Sequence, residues 1–259
     1  MLLQATGLGR RFGGVVALED YRLALGEGER FALIGPNGAG KTTAFNCLSG
    51  VLRPSSGRIR FLGRDVTGWP AHRMARLGLA RTFQHARPFA ELSVLENVMA
   101  GLHARAGAGL AATLLGLPAF RRAERRIREE ALAILELVGL ADEAGRRAGD
   151  LPYGRQRLVE VARALATAPR LLLLDEPAAG MNPAETDQLQ RMLDRLHRRT
   201  GVTLMIVEHD MRLVMNLCSR IQVLDRGRII AEGPPEAVQN DPEVIRAYLG
   251  QRRRHAAVG

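Results

Sequence analysis

The fold of this 259-residue chain is decided by the stretch Gly35-Pro36-Asn37-Gly38-Ala39-Gly40-Lys41-Thr42-Thr43. An apolar run at residues 31–34 precedes it and predicts a buried strand, and residues 42–48 predict a helix that ends before Gly50. This spacing between a strand and a helix is typical of a loop that binds the phosphates of a nucleotide. Its glycines allow backbone N–H groups to approach phosphate oxygens, and the helix N-terminus adds partial positive charge.

Lys41 is the single lysine among the 37 basic residues, all the others being arginine. A lysine retained in such an arginine-rich chain indicates a place where a planar guanidinium is too wide. We therefore expect the compact ammonium of Lys41 to contact the β- and γ-phosphates. The hydroxyl of Thr42 is then placed to ligate Mg²⁺.

The formal net charge of +10 leaves three interpretations open. A general preference for arginine with solvated surfaces explains it most simply, because acidic residues are interspersed with the arginines. Attraction to an anionic membrane surface and binding of nucleic acid are the alternatives. Because the arginine excess runs through the whole chain, no nucleic-acid partner is expected.

Composition excludes several classes of protein. Two cysteines cannot form a disulfide scaffold or a four-cysteine zinc site. No apolar run reaches the roughly 18 residues that a membrane-spanning helix needs, and the first residues do not have the pattern of a signal peptide. A chain in the cytoplasm is therefore expected, with docking on a membrane protein still possible.

Acidic and polar residues follow other predicted strands. The run 171–174 ends at Asp175 and Glu176, and the run 202–207 is followed by His209. The carboxyl ends of parallel strands are where such sheets bind ligands. We expect Asp175 to hold Mg²⁺, Glu176 to polarise the attacking water, and His209 to contact the γ-phosphate. Gln84, at the end of a strand predicted over residues 78–83, is similarly placed to sense Mg²⁺ or water.

A mostly helical segment is expected between the two β-rich parts, at about residues 85–160. Ser93 and Glu96 form a predicted capping box. Apolar residues three and four apart then predict one buried helical stripe, made of Phe120, Ala123, Ile127, Ala131, Ile134 and Val138. The stretch 151–157 is predicted to precede a second helix that runs to Thr167, and Gly154 allows an anion to approach the N-terminus of that helix. Physical chemistry alone leaves two interpretations equally open, a second anion site and an ordinary helix start without a ligand.

Together these motifs resemble the ATP-binding subunits of ABC transporters, over about residues 2–250. Residues 35–43 match the Walker A motif, 171–176 the Walker B motif, Gln84 the Q-loop, and His209 the switch histidine. Residues 151–156 match the signature loop, usually written LSGGQ. The stretches 153–157, 175–183 and 241–250 are similar to the LivG-type ATPases of high-affinity branched-chain amino-acid importers. Related ATPases serve urea or other amide transporters and lipopolysaccharide export.

The resemblance implies a P-loop α/β fold of the ABC type. A mixed β core with a RecA-like parallel sheet would span about residues 1–84 and 161–250 and carry a helical subdomain at about 85–160, in a single domain with a loose tail at 251–259. Catalytic roles fall to Glu176, His209 and Gln84, and Mg²⁺ contacts to Thr42, Gln84 and Asp175. The implied ATP contacts are Phe12 (stacked on adenine), Val16, Gly35, Pro36, Asn37, Gly38, Ala39, Gly40, Lys41, Thr42, Thr43, Tyr153, Gly154 and Gln156.

The resemblance also implies partners, because each ATP is sandwiched between the Walker motifs of one subunit and the signature loop of another. The second nucleotide-binding subunit is a related chain or a second copy. Two transmembrane permeases and, indirectly, a substrate-binding protein complete the transporter, on the inner face of the cell membrane. A motor for urea, another amino acid or lipopolysaccharide is the alternative, and a soluble ABC ATPase of ribosomes or nucleic acid a more distant one.

Two residues depart from the common family pattern. Pro152 stands where many members have Ser, which removes a hydroxyl contact to the γ-phosphate, and Asn182 stands where many have Asp. Backbone N–H groups and Gln156 remain, so activity is expected to persist.

Overall fold

The computed structural model describes residues 1–82, 88–106 and 118–256. Its strands are β1 (Leu3–Phe12), β2 (Val15–Leu25), β3 (Arg30–Ile34), β4 (Ser56–Phe61), β5 (Arg64–Asp65), β6 (Leu79–Arg81), β7 (Leu171–Asp175), β8 (Thr203–Val207), β9 (Arg220–Asp225) and β10 (Arg228–Gly233). Its α-helices are α1 (Lys41–Leu48), α2 (Ala71–Arg76), α3 (Val94–Ala106), α4 (Pro118–Val138), α5 (Tyr153–Leu165), α6 (Pro183–Thr200), α7 (Met211–Leu217), α8 (Pro235–Gln239) and α9 (Pro242–Ala256). None of the described helices is long and apolar enough to cross a membrane.

A six-stranded sheet forms the centre, in the order β10-β9-β3-β8-β7-β6. From β9 to β6 the neighbouring strands are parallel, and only β10 pairs in the antiparallel direction. Strands β3, β7 and β8 lie side by side in the middle, and nearly all their residues are buried. Runs that are apolar on both faces are what a parallel sheet covered by helices requires. The predicted parallel sheet is confirmed.

The two faces of this sheet belong to different hydrophobic cores. On β7, Leu172 and Leu174 pack into the core that includes α3 to α7. Leu171 and Leu173 point the other way, into the core shared with α1 and a four-stranded antiparallel sheet, β2-β1-β4-β5. Alternate side chains of one strand therefore join the second sheet to the helices through the central one.

The segment between β6 and β7 contains α3, α4, two short 3₁₀ turns and the whole of α5. The predicted capping box is confirmed, since the Ser93 N–H donates to Glu96 at 2.8 Å and the Glu96 N–H donates to Ser93 Oγ at 3.1 Å. The bounds of this segment as a separate subdomain remain a prediction.

The predicted apolar stripe on α4 is confirmed from Ile127 onward. Ala131 and Val138 are buried, and Ile127 and Ile134 are partly buried against the same core. Ala123 is exposed, so the stripe was wrong there, and the fully buried Leu135 was missing from it. The side chain of Phe120 lies outside the described residues.

Two predicted boundaries were also wrong by a few residues. The strand expected at residues 78–83 is only Leu79–Arg81, and the helix expected to reach Thr167 ends at Leu165. The N–H of Thr82 still donates to the carbonyl of Leu173 on β7, and residues 166–167 form a turn directly after α5. The strand β3 and the helix α1 around the glycine-rich stretch agree with the prediction.

Candidate functional site

The glycine-rich stretch connects the carboxyl end of β3 to the first residue of α1, which is Lys41. The ammonium of Lys41 is nearly buried and donates to the carbonyl oxygens of Gly35 at 2.7 Å and Pro36 at 2.9 Å. Burial lowers the pKa of Lys41, and the charges of Glu176 and Asp175 act against that shift. The amine is thus held inside the loop, next to both acidic residues, as a phosphate-binding lysine requires.

The glycines of this loop are required by packing as well as by conformation. A Cβ on Gly35 would lie 2.0 Å from the carbonyl oxygen of Leu224, and one on Gly40 would lie 2.5 Å from that of Ala17. At Gly38, with φ of +77°, a Cβ would meet nothing within 4 Å. Two of the three glycines therefore fix the loop against β9 and β2, which the sequence pattern alone did not indicate.

Asp175, at the end of β7, forms a buried ion pair with Arg81, at the end of β6. The distance from Arg81 Nη2 to Asp175 Oδ2 is 2.7 Å, and the two side chains are only 6% and 4% exposed. The other Nη of Arg81 donates to Asn46 and Ser49 in and just after α1, at 2.7 and 2.8 Å. The carboxylate predicted to hold Mg²⁺ is therefore bound to a guanidinium in this structure. Arg81 was not among the predicted site residues, and its only signal was its place inside the strand predicted over residues 78–83.

Glu176 and His209 meet directly across the edge of the sheet. The distance from His209 Nε2 to Glu176 Oε1 is 2.9 Å. Glu176 adopts the left-handed backbone conformation, with φ of +47°, while its N–H still pairs with the carbonyl of Val207 on β8. A non-glycine residue in this conformation is strained and typical of functional sites. The structure thus brings together the two residues that the sequence placed at separate strand ends.

A second carboxylate, that of Glu208, lies behind this pair and is 3% exposed. It accepts hydrogen bonds from three backbone N–H groups, those of Ala178 at 2.7 Å, His209 at 2.8 Å and Asp210 at 3.2 Å. Burial raises the pKa of Glu208, and the three N–H groups act against that shift. Glu208 was not among the predicted site residues, although its place directly after a buried strand was an available signal.

The stretch 151–156 opens α5, with Pro152 as the residue before its first turn. Gln156 donates back to the carbonyl of Leu151 at 2.9 Å, and Tyr153 is half exposed. A Cβ on Gly154 would lie 3.0 Å from the Glu185 carboxylate of α6, so a larger residue here would require the Glu185 side chain to shift.

Asn182, the other departure from the family pattern, caps α6. Its side chain accepts from the Glu185 N–H at 3.0 Å, and Glu185 accepts from the Asn182 N–H, also at 3.0 Å. An Asn at this position therefore has a defined structural role as the first half of a capping box.

Phe12 and Val16 lie on the hairpin of β1 and β2, whose neighbouring residue Ala17 approaches the loop at Gly40. The ring of Phe12 is 47% exposed and has the Arg10 guanidinium 4.7 Å from its centre. An exposed aromatic ring beside the phosphate loop is a suitable platform for a base. Gln84 lies outside the described residues.

Tyr248 is a further contact that the sequence did not reveal. Its hydroxyl, on α9, accepts a hydrogen bond from the backbone N–H of Gly35, and burial raises the pKa of Tyr248. The C-terminal helix is thus tied to the first residue of the phosphate loop.

These residues fit a nucleoside triphosphate with a hard divalent cation. The loop supplies N–H groups and an ammonium for phosphates, and the oxygen atoms of Thr42 and Asp175 are the type of ligand that Mg²⁺ prefers. Among the described residues, no cluster of three or more His, Cys, Asp and Glu could hold a metal ion by itself. The oxygen atoms of Thr42 and Asp175 therefore suit a cation that would also be bound by the phosphates of a nucleotide.

Comparison with known families shows to which class of phosphate-binding proteins the chain belongs. A family model described as ABC transporter matches residues 18–179, more than half of the chain. The chain belongs to the ABC transporter family. It is an ATP-binding cassette, the ATPase component of such transporters. A second model, described as branched-chain amino acid ATP-binding cassette transporter, matches residues 228–253, which include α8 and most of α9.

The curated relatives cover nearly the whole chain. A high-affinity branched-chain amino acid transport ATP-binding protein, LivG of Salmonella typhimurium, is 47% identical over 96% of this chain and 98% of its own length. The corresponding BraF of Pseudomonas aeruginosa is 46% identical with the same coverage. The lipopolysaccharide export ATP-binding protein LptB of Acidithiobacillus ferridurans is 37% identical over 97% of this chain and 98% of its own length.

Solved structures agree with the fold. An ATP-binding cassette of an ABC transporter in its ADP conformation has a TM-score of 0.83 and 32% identity, over 96% of this chain and 98% of its own. A nucleotide-free cassette has a TM-score of 0.81, with 32% identity over 95% of this chain and 98% of its own. The predicted ABC-type P-loop fold is confirmed.

Proposed function

We propose that this ATPase powers the import of branched-chain amino acids, as one of two nucleotide-binding subunits on the cytoplasmic face of a membrane transporter. One combined observation carries the proposal. The Glu176–His209 pair lies near Lys41, and relatives that match nearly the whole chain are named for this transport. The second subunit is a related cassette or a second copy, and two permeases and a substrate-binding protein complete the system.

In this mechanism each residue of the site has one task. Lys41 and the N–H groups of its loop bind the phosphates, and Phe12 stacks on the adenine. Mg²⁺, when held by Thr42 and Asp175, neutralises charge on the β- and γ-phosphates. Glu176 accepts a proton from the attacking water, and His209 orients that carboxylate while its imidazole faces the γ-phosphate.

Asp175 already has a cationic partner, because its Oδ2 is 2.7 Å from Arg81 Nη2. A divalent cation bound with the nucleotide would compete with this guanidinium for the same carboxylate. A ligand that favours one of two arrangements in this way can drive a conformational change.

One chain supplies only part of the nucleotide contacts. Tyr153, Gly154 and Gln156 lie against residues 149–185 of the same chain. We propose that these three residues contact the ATP held by the other subunit. ATP then bridges the two cassettes only when they are closed, and its hydrolysis releases them.

The proposal is tested by capturing what the chain assembles with. Tagged Glu176→Gln protein is recovered with Mg-ATP from gently solubilised native membranes, and Lys41→Ala serves as the matched control because it lacks the phosphate contact. A second cassette and two multi-span permeases are expected only with Glu176→Gln. Uptake of labelled leucine by vesicles that contain the complex assigns the substrate, and lipopolysaccharide export without leucine uptake would contradict the import assignment.

A further inference from the structure

We infer that Glu208 is a positioning residue, which holds the two loops that carry Glu176 and His209 at their hydrogen-bonding distance. The inference rests on the proposed function, because it assumes that this pair acts on the nucleotide. It assigns a role in the reaction to a buried side chain that accepts hydrogen bonds from three backbone N–H groups.

The contacts of Glu208 divide between the two loops. Its Oε1 accepts from the Ala178 N–H, which lies in the loop after β7, two residues beyond Glu176. Its Oε2 accepts from the N–H groups of His209 and Asp210, in the loop after β8. One buried carboxylate thus joins the backbones of both loops, and the Glu176–His209 contact joins their side chains.

Glu208, which is 3% exposed, gives the Ala178 N–H a buried acceptor. Ala178 is 8% exposed, so water has little access to its N–H, and the carbonyl of the same residue already accepts from Met181. The loop after β7 also contains the strained backbone of Glu176, with φ of +47°. A strained turn persists only when its surroundings hold it in place, and Glu208 supplies a buried, charged part of those surroundings.

Glutamine cannot reproduce this arrangement although it has the same size. An amide has one accepting oxygen, and its NH₂ group would face N–H donors on the other side. Glu208→Gln therefore keeps one loop and releases the other. Displacement of a reacting group by about 1 Å can lower a rate about 100-fold, so we expect kcat to fall about 10- to 100-fold while KM for ATP changes less than about threefold.

Glu29→Gln is the matched control for a simple loss of stability. Glu29 is also a partly buried carboxylate that accepts from a backbone N–H, that of Gly26 at 2.8 Å, and it pairs with Arg220. It precedes β3 at the end of the strand opposite to the phosphate loop. This variant is expected to be less stable than the wild type but to keep its kcat.

The decisive experiment is a double-mutant cycle on the full chain, read as single-turnover release of labelled phosphate. If Glu208 acts through the pair, Glu208→Gln lowers the rate less than about twofold once His209→Ala has removed the pair. Amide exchange at Ala178 or at Asp210 should also become faster in Glu208→Gln and not in Glu29→Gln.

Two results would overturn the inference. One is an undiminished kcat in Glu208→Gln, and the other is a full, additive loss on top of His209→Ala. Both leave the proposed function intact as long as Lys41→Ala and Glu176→Gln remain inactive. Wild-type turnover in those two variants would instead overturn the proposed function.

Discussion

Replacing Arg81 by Met is expected to destabilise the protein strongly, because it leaves the carboxylate of Asp175 buried without its cation. Both side chains of this pair are at least 94% inaccessible, and their atoms are 2.7 Å apart. Removing one partner of a buried ion pair costs about 3–5 kcal/mol, since the remaining charge stays desolvated. Methionine was chosen because it fills a similar volume without a charge.

For a chain of this size, each kcal/mol shifts Tm by about 2–4 °C. Arg81→Met should therefore lower Tm by about 6–20 °C, measured by circular dichroism on the chain without nucleotide. In the Asp175→Asn background, Arg81→Met should lower the free energy of unfolding by at least about 1 kcal/mol less, because no buried carboxylate would lose its partner.

An exposed pair provides the control. Arg228 Nη2 and Glu19 Oε2 are 2.9 Å apart, but the side chains are 67% and 48% exposed. A surface pair contributes at most about 1 kcal/mol, so Arg228→Met should lower Tm by no more than about 4 °C. Equal shifts for the two arginine variants would refute the reasoning, because burial would then have no effect on the cost of losing a partner.

Three further predictions concern the loop and the thiols. Lys41→Arg should lose ATP turnover as completely as Lys41→Ala despite its charge, because a guanidinium is too wide for the loop, and a phosphate-release assay checks this. Gly35→Ala should lower the free energy of unfolding in urea by more than about 2 kcal/mol, since its Cβ would lie 2.0 Å from the carbonyl oxygen of Leu224. Gly63→Ala is the control, because a Cβ there meets nothing within 4 Å, and it should lower the free energy of unfolding by about 1 kcal/mol. Burial raises the pKa of Cys218 to about 12. The protonated thiol therefore stabilises the fold below pH 9, and this stabilisation is lost as the pH rises from 9 to 12. Iodoacetamide at pH 8 should label Cys218 in the folded protein at least about tenfold more slowly than in urea.

The sequence was sufficient for the fold because its strongest patterns are local. The loop at residues 35–43 has its spacing within nine residues, and the apolar run 171–174 ends in two acids without interruption. A parallel sheet then places the strand ends together, so the proximity of Glu176 and His209 followed from strand order rather than from any direct pattern.

Contacts between distant segments could not be predicted in the same way. Arg81 pairs with Asp175 across 94 positions, and many arginines in the chain had the same local appearance. The link from Glu208 to the N–H of Ala178 depends on backbone geometry, which a sequence pattern does not contain. The exposure of Ala123 depends on which face of α4 its neighbours cover, and this is set by tertiary packing.

The account rests most directly on Glu176, the proposed base for the attacking water. The decisive measurement compares ATP binding and phosphate release by the wild type and by Glu176→Gln in the same preparation. The account predicts that the variant binds ATP as tightly as the wild type and releases phosphate about 10²- to 10⁴-fold more slowly, since only the proton acceptor is lost. Phosphate release at the wild-type rate would contradict it and would place the chemistry on another residue.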